Sequence, residues 1–288
     1  MNIPEAITLY KKVGHRNADF LFNWLHDVYL NLYLPCIDNN LKDTLAKDKT
    51  LLTIFDVLID DLADNYNFRN ESLLDEFIQI PWSQAQTSTN DYLETAHQIW
   101  NSAIASIQTY PRYKEFKRLF YFDLRQVLSS MEYSLLVNTM RIDNKLEDRT
   151  YLPHGCMVIL HSDMDLMCSP DFNLKELNHM RTLFHLAQEI CHIGNMLSTY
   201  PREIQEKDFS SPIISLAIRK CLLKRDEIPD EKVLKNLEDF YKNKAENLFH
   251  QILTLKTKVK SLDIETFHNK YKQVYNLFLE RGKYWATK

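Results

Sequence analysis

Only four glycines occur in 288 residues: Gly14, Gly155, Gly194 and Gly282. A β-rich or doubly wound fold is full of tight turns, and such turns favour glycine. No two of the four lie close together, which excludes the glycine-rich phosphate cradles of Rossmann-type and P-loop sites. A diphosphate bound by this chain would have to be held by side chains and metal ions.

Helical periodicity fills the space that glycine leaves. Residues 17–35 place Phe20, Trp24, Val28 and Leu32 at steps of four and stop before Pro35. Residues 50–66 put Leu51, Ile54, Phe55, Leu58, Ile59 and Leu62 on one broad face. The spacing predicts further helices over 72–80 with Ser72 as cap, over 89–110 with a cap near Asn90, and over 112–140 as two helices joined near Ser129 and Ser130. A polar break follows at 141–155, and helical patterns resume over 156–167, 173–200, 213–224, 230–258 and 263–286. No strand pattern, repeat or long linker interrupts them. The expectation is an all-α fold, a single-domain antiparallel helical bundle over residues 1–288.

Charge and apolar content narrow the partners. Net charge is −4, so no global basic field invites nucleic acid. No run approaches the roughly 18 apolar residues of a membrane span. Five cysteines without a CxxC read as reduced thiols, and the opening residues show no apolar leader, so the expected location is cytoplasmic.

The apolar helix at 50–66 carries an unexpected load of charge. Asp60, Asp61 and Asp64 form a DDxxD, with Asp56 one turn earlier. Positions i and i+4 share a face, so Asp60 and Asp64 aim at one point. Like charges so placed repel, and more strongly once desolvated. A hard divalent cation relieves that repulsion, and Mg²⁺ takes one or two carboxylates together with phosphate oxygens. Alone, the pattern also fits a solvated acidic helix end. Far downstream, Asn195, Thr199 and Glu203 repeat the logic at i, i+4 and i+8, three oxygen-bearing side chains on one stripe. Pro201 predicts a kink or helix end before Glu203.

Together the two stretches resemble class I terpene synthases. That family pairs a DDxxD helix with an NSE motif, N-D-x-x-S/T-x-x-K/R-E, and Asn195, Thr199, Arg202 and Glu203 stand in its register. Met196 replaces the motif's aspartate, and Lys207-Asp208 stands where the family often has Gly-Asp. The wording of the stretches is nearest to bacterial diterpene synthases with one α domain. The resemblance implies the class I terpenoid synthase fold and three Mg²⁺ ions in the closed complex, bound by Asp60, Asp64, Asn195, Thr199 and Glu203. It implies diphosphate contacts from Arg149, Arg202, Arg281 and Tyr284, the first at the family's distance for a diphosphate-sensing arginine. Gly155 would supply a close backbone approach, and Asp56 and Asp61 would partner arginines. The family also allows a homodimer.

The implied chemistry is Mg²⁺-assisted ionisation of a prenyl diphosphate, followed by cyclisation or rearrangement of the cation. A C20 substrate, geranylgeranyl or bicyclic labdane-type diphosphate, is favoured over the C15 farnesyl diphosphate. Closure would exclude water, and aromatic faces would steady the cation. Phe55, Phe184 and Trp285 are candidates for the pocket wall. Three rivals stay open. Two ExxH pairs, Glu94/His97 and Glu189/His192, suit a ferritin-like di-iron oxidase. A chain-elongating prenyltransferase would need a second aspartate-rich motif, and Asp163 and Asp165 are a sparse substitute. A helical binding protein needs no chemistry.

Overall fold

A computed structural model describes residues 1–83, 88–224, 227 and 231–281. The helices are α1 (Ile3–Tyr10), α2 (Ala18–Tyr29), α3 (Lys42–Ala63), α4 (Glu71–Ile78), α5 (Asp91–Ile107), α6 (Tyr113–Met140), α7 (Lys145–Tyr151), α8 (Val158–Met167), α9 (Leu177–Glu206), α10 (Pro212–Arg219), α11 (Glu231–Lys235), α12 (Glu238–Thr254) and α13 (Ile264–Arg281). No strand occurs among the described residues, and the fold is all-α. None of these helices is long and apolar enough to cross a membrane.

Asparagine opens many of them. Asn2, Asn17, Asn70, Asn90 and Asn144 each accept a hydrogen bond from a backbone N–H of the first turn. The cap of α4 is therefore Asn70 and not Ser72. At the other ends, scarce glycine forces ordinary residues into the left-handed region: Arg141 after α6 and Lys207 after α9 have φ of 55° and 53°. The expected joint at Ser129 and Ser130 does not occur. Residues Tyr113–Met140 form one helix, and the Ser130 hydroxyl turns back onto the Val127 carbonyl. The polar break at 141–155 holds α7 and a 3-10 turn, Leu152–Cys156.

The main core is an apolar cluster reaching from Ile3 to Tyr275, with smaller clusters around Trp24, Val28 and Val274 and around Tyr133, Val137 and Leu152. α3 runs through it, and nearly every residue from Leu45 to Ala63 is buried. α2 and α5 pack on α3, while α12 and α13 pack on α9. Gly194 eases the last contact: a Cβ there would stand a tight 3.1 Å from the Tyr275 ring. The walls of the cavity described next come from α2, α3, α9, α13, the stretch 155–162 and the loops at 15–17 and 65–68.

Candidate functional site

The aspartates crowd the last turn of α3. A helix C-terminus carries partial negative charge, and this one has no basic residue in its final turn. Cations arrive from outside the helix. Arg16, in the loop before α2, donates from Nη2 to Asp60 Oδ2 at 2.5 Å and from Nε to Asp61 Oδ1 at 2.7 Å. The Tyr10 hydroxyl completes Asp61 at 2.9 Å. Arg69 caps the open carbonyls, donating to Ala63 O at 3.0 Å and Asp64 O at 2.8 Å. Gly14 makes the Arg16 clamp possible, because a Cβ there would lie 2.2 Å from the Tyr10 ring. Ser134 of α6 donates to Asp64 Oδ1. Asp61 partners an arginine, whereas Asp56 has no ion pair among the described residues and its Oδ1 has no hydrogen-bond partner among them.

The second stripe sits on α9. Contrary to the expectation from Pro201, the helix runs through it to Glu206. The proline's missing N–H costs one backbone bond but does not end the helix, so Glu203 stays on the same helix as Asn195 and Thr199. The Thr199 hydroxyl meets Glu203 Oε1, and Glu203 Oε2 has no partner among the described residues. Arg202 Nη1 pairs with Glu206 Oε2 at 2.5 Å. Beyond the helix end, Asp208 accepts from Asn138 Nδ2 and from the Ser210 hydroxyl.

Both stripes open on the same space. A cavity of about 620 Å³ reaches Asp56, Asp60, Asp61, Asn195, Thr199 and Arg202. A smaller one of about 110 Å³ is lined by Asp60, Asp64, Asn195, Glu203, Glu206 and Asp208. Asp60, Gly155, Cys156, Asn195, Arg202 and Glu206 line both. The carboxyls there are crowded, with Glu203 and Asp208 buried and Asp60, Asp64 and Glu206 half-buried. Burial, with Asp61 nearby, pushes Asp60 up to about 6 against the pull of Arg16. Burial, Asp208 and Asp60 raise Asp64 well above the carboxylate range. Burial and Asp208 push Glu203 up to about 8. These groups fit a hard cation: oxygen donors that repel one another, one orphaned carboxylate oxygen, and room beside them. Asp60, Asp64, Asn195 and Glu203 would hold it. Thr199, on the larger cavity, reaches that set through Glu203. Among the described residues, no three His, Cys, Asp or Glu side chains close up as a metal cage. Mg²⁺ binds with few protein ligands and completes its shell with water and phosphate oxygens.

Other expected residues fall elsewhere. Arg149 lies exposed on α7 and lines neither cavity, because its neighbour Asp148 is the residue turned inward, onto the Tyr133 hydroxyl at 3.0 Å and Arg219 at 2.8 Å. Phe55 is core, packed on Phe77 and Trp100. Five residues before Asp60, it faces away from the carboxylate side of α3. Phe184 is fully buried in the same core and lines neither cavity. Tyr284, Trp285 and the Arg281 side chain lie outside the described residues. Phe20, Trp24, Phe68 and Phe278 supply the aromatic wall instead.

The ExxH pairs do not meet as a four-ligand site. Glu94 is half-buried and accepts from Gln98 and from the Ser88 N–H, while Glu189 pairs with Lys244 at 2.5 Å. Asp163 and Asp165 are buried on α8, the second held by Lys49 at 2.6 Å. The sequence reading missed Arg16 and Arg69. Both act from loops, Arg16 from far along the chain and Arg69 from just past the end of α3, where no helical spacing marks them.

No protein-family model matches the chain, and no curated protein matches it.

Proposed function

We propose that this chain is a Mg²⁺-dependent class I terpene synthase with the fold of that family. It would ionise a prenyl diphosphate, C20 favoured, and cyclise or rearrange the resulting cation. The observation that carries the reading is convergence. Asp60 and Asp64 of α3 and Asn195 and Glu203 of α9 line one small polar cavity that adjoins a large one with an aromatic wall.

Mg²⁺ would act there as a Lewis acid on the diphosphate oxygens. The chain's own residues do the rest. Arg16 and Arg202 border the cavity with planar guanidinium groups that suit phosphate oxygens. In the present state both are tied to carboxylates, Arg16 to Asp60 and Asp61 and Arg202 to Glu206. Diphosphate entering with metal would take carboxylate oxygens for the metal and free arginine donors for the anion. Phe20, Trp24 and Phe278 present the surface along which an apolar chain lies and a cation is steadied without being trapped.

The test is incubation with C10, C15, C20 and C25 prenyl diphosphates and bicyclic C20 diphosphates, with Mg²⁺ or with chelator, and product mass as readout. Hydrocarbon or terpene alcohol formed only with Mg²⁺ is the expected result. No product and no diphosphate release from any of them would falsify the reading and leave a binding protein.

A further inference from the structure

The large cavity does not end in hydrocarbon. Its α3 wall is a single stripe, Asp60, Asp56, Thr53 and Lys49, at steps of three or four residues. Helical rise carries that stripe about 16 Å from the acidic mouth to Lys49. Along α2 the wall passes Phe20, Trp24 and Val28 before reaching Tyr29. At this inner end, Tyr29, Lys49, Thr53, His161 and Tyr271 all contribute to the wall.

These groups form a connected set with spare capacity. The Tyr29 and Thr53 hydroxyls are 2.9 Å apart, and Thr53 Oγ1 donates to the Lys49 carbonyl at 2.9 Å. Lys49 Nζ is held by Asp165 at 2.6 Å and by the Leu32 carbonyl at 3.1 Å. The Tyr29 ring meets the His161 ring edge-on at 5.0 Å between centroids. His161 is 6% exposed, and its Nε2 has no hydrogen-bond partner among the described residues. Burial and the charge on Lys49 hold this imidazole well below the usual histidine range, so it is neutral. A neutral ring nitrogen either accepts or donates, according to tautomer.

A ligand that is hydrocarbon throughout would press carbon against this set. Each polar group left unsatisfied weakens binding about ten- to a hundredfold. A hydroxyl is donor and acceptor at once and answers a neutral His161 beside the Tyr29–Thr53 pair. We infer that the inner pole is an oxygen-binding subsite, holding a hydroxyl on the ligand chain at the end remote from its diphosphate. The inference rests on the reading of the mouth as a diphosphate site.

Binding affinities of three probes in Mg²⁺ test it: inorganic diphosphate, an unreactive C20 prenyl thiolodiphosphate, and the same molecule bearing a hydroxyl on its last isoprene unit. The hydroxylated probe should bind about ten- to a hundredfold more tightly than the plain one. His161→Phe, and separately the isosteric Thr53→Val, should each shrink that preference about tenfold and leave inorganic diphosphate binding unchanged. Should His161→Phe fail to fold, Thr53→Val still decides. Equal or absent binding of the two C20 probes, with inorganic diphosphate still bound, overturns the subsite alone. So does a preference that survives a folded variant. No Mg²⁺-dependent binding of any probe overturns the subsite and the diphosphate reading together.

Discussion

Arg16 is the residue on which the acidic end of α3 depends. Its guanidinium bridges Asp60 and Asp61, and Asp61 is 1% exposed. Removing one partner of such a pair leaves a buried charge, so Arg16→Ala should cost about 3 kcal/mol or more in urea unfolding. Gly14→Ala should weaken the same clamp from a distance by displacing the Tyr10 ring, lowering stability and turnover together. Titration follows from the same crowding. Glu203 ordinarily ionises near 4.5 and is raised to about 8, so the folded chain holds a proton that the unfolded chain has lost. Without divalent cation, stability should therefore fall as pH rises towards 8. His154 and His192, depressed to about 4, work the other way and lose stability as pH falls below their ordinary 6.5. Above about pH 6.5 the histidines are silent. A melting temperature that drops from pH 6.5 to 8, and recovers when Mg²⁺ and diphosphate are added, is the expected pattern. A flat profile would show that Glu203 is not held protonated by burial and its carboxylate neighbours.

At the scale of the element, α3 and α9 show what a one-dimensional pattern carries. The i, i+4 step put Asp60 with Asp64 and Asn195 with Thr199 correctly, because helical phase is local and rigid. The same rule, counted five residues from Asp60, puts Phe55 in the core, and Asp148 takes the inward position that leaves Arg149 outside. Pro201 misled because one lost backbone bond does not end a helix held by packing on α12 and α13. Arg16 and Arg69 were invisible for a different reason: they reach α3 from loops, and loop reach has no period. Lys207 offers a test at this scale. It ends α9 with φ of 53°, where glycine would be unstrained. Lys207→Gly should stabilise by about 1 kcal/mol in chemical denaturation, less whatever the Lys207–Tyr66 cation–π contact contributes. A loss of stability would show that this contact outweighs the backbone strain.

The whole molecule gathers its acidic cluster at one end of a cavity whose other end holds Lys49, Thr53, Tyr29 and His161. α3 is central because its apolar faces are core on nearly every side, and its acidic turn is tolerable because it ends at a cavity. All-α architecture was legible from glycine scarcity and periodicity. The cavity was not, since its walls come from five helices and the loops between them, whose relative placement no local pattern encodes. Asp60→Ala and Asn195→Ala should each lower turnover by about a hundredfold or more while helicity by circular dichroism stays unchanged, because both side chains face the cavity and neither is core packing.

The proposed function requires α3 and α9 to hold metal and diphosphate together. Calorimetric titration of inorganic diphosphate into the protein tests it directly, with and without Mg²⁺, for the unaltered chain and for Asp60→Ala and Asn195→Ala. Saturable binding that requires Mg²⁺ and is lost in each variant is the predicted result. Binding without Mg²⁺, or binding undiminished in either variant, would contradict it.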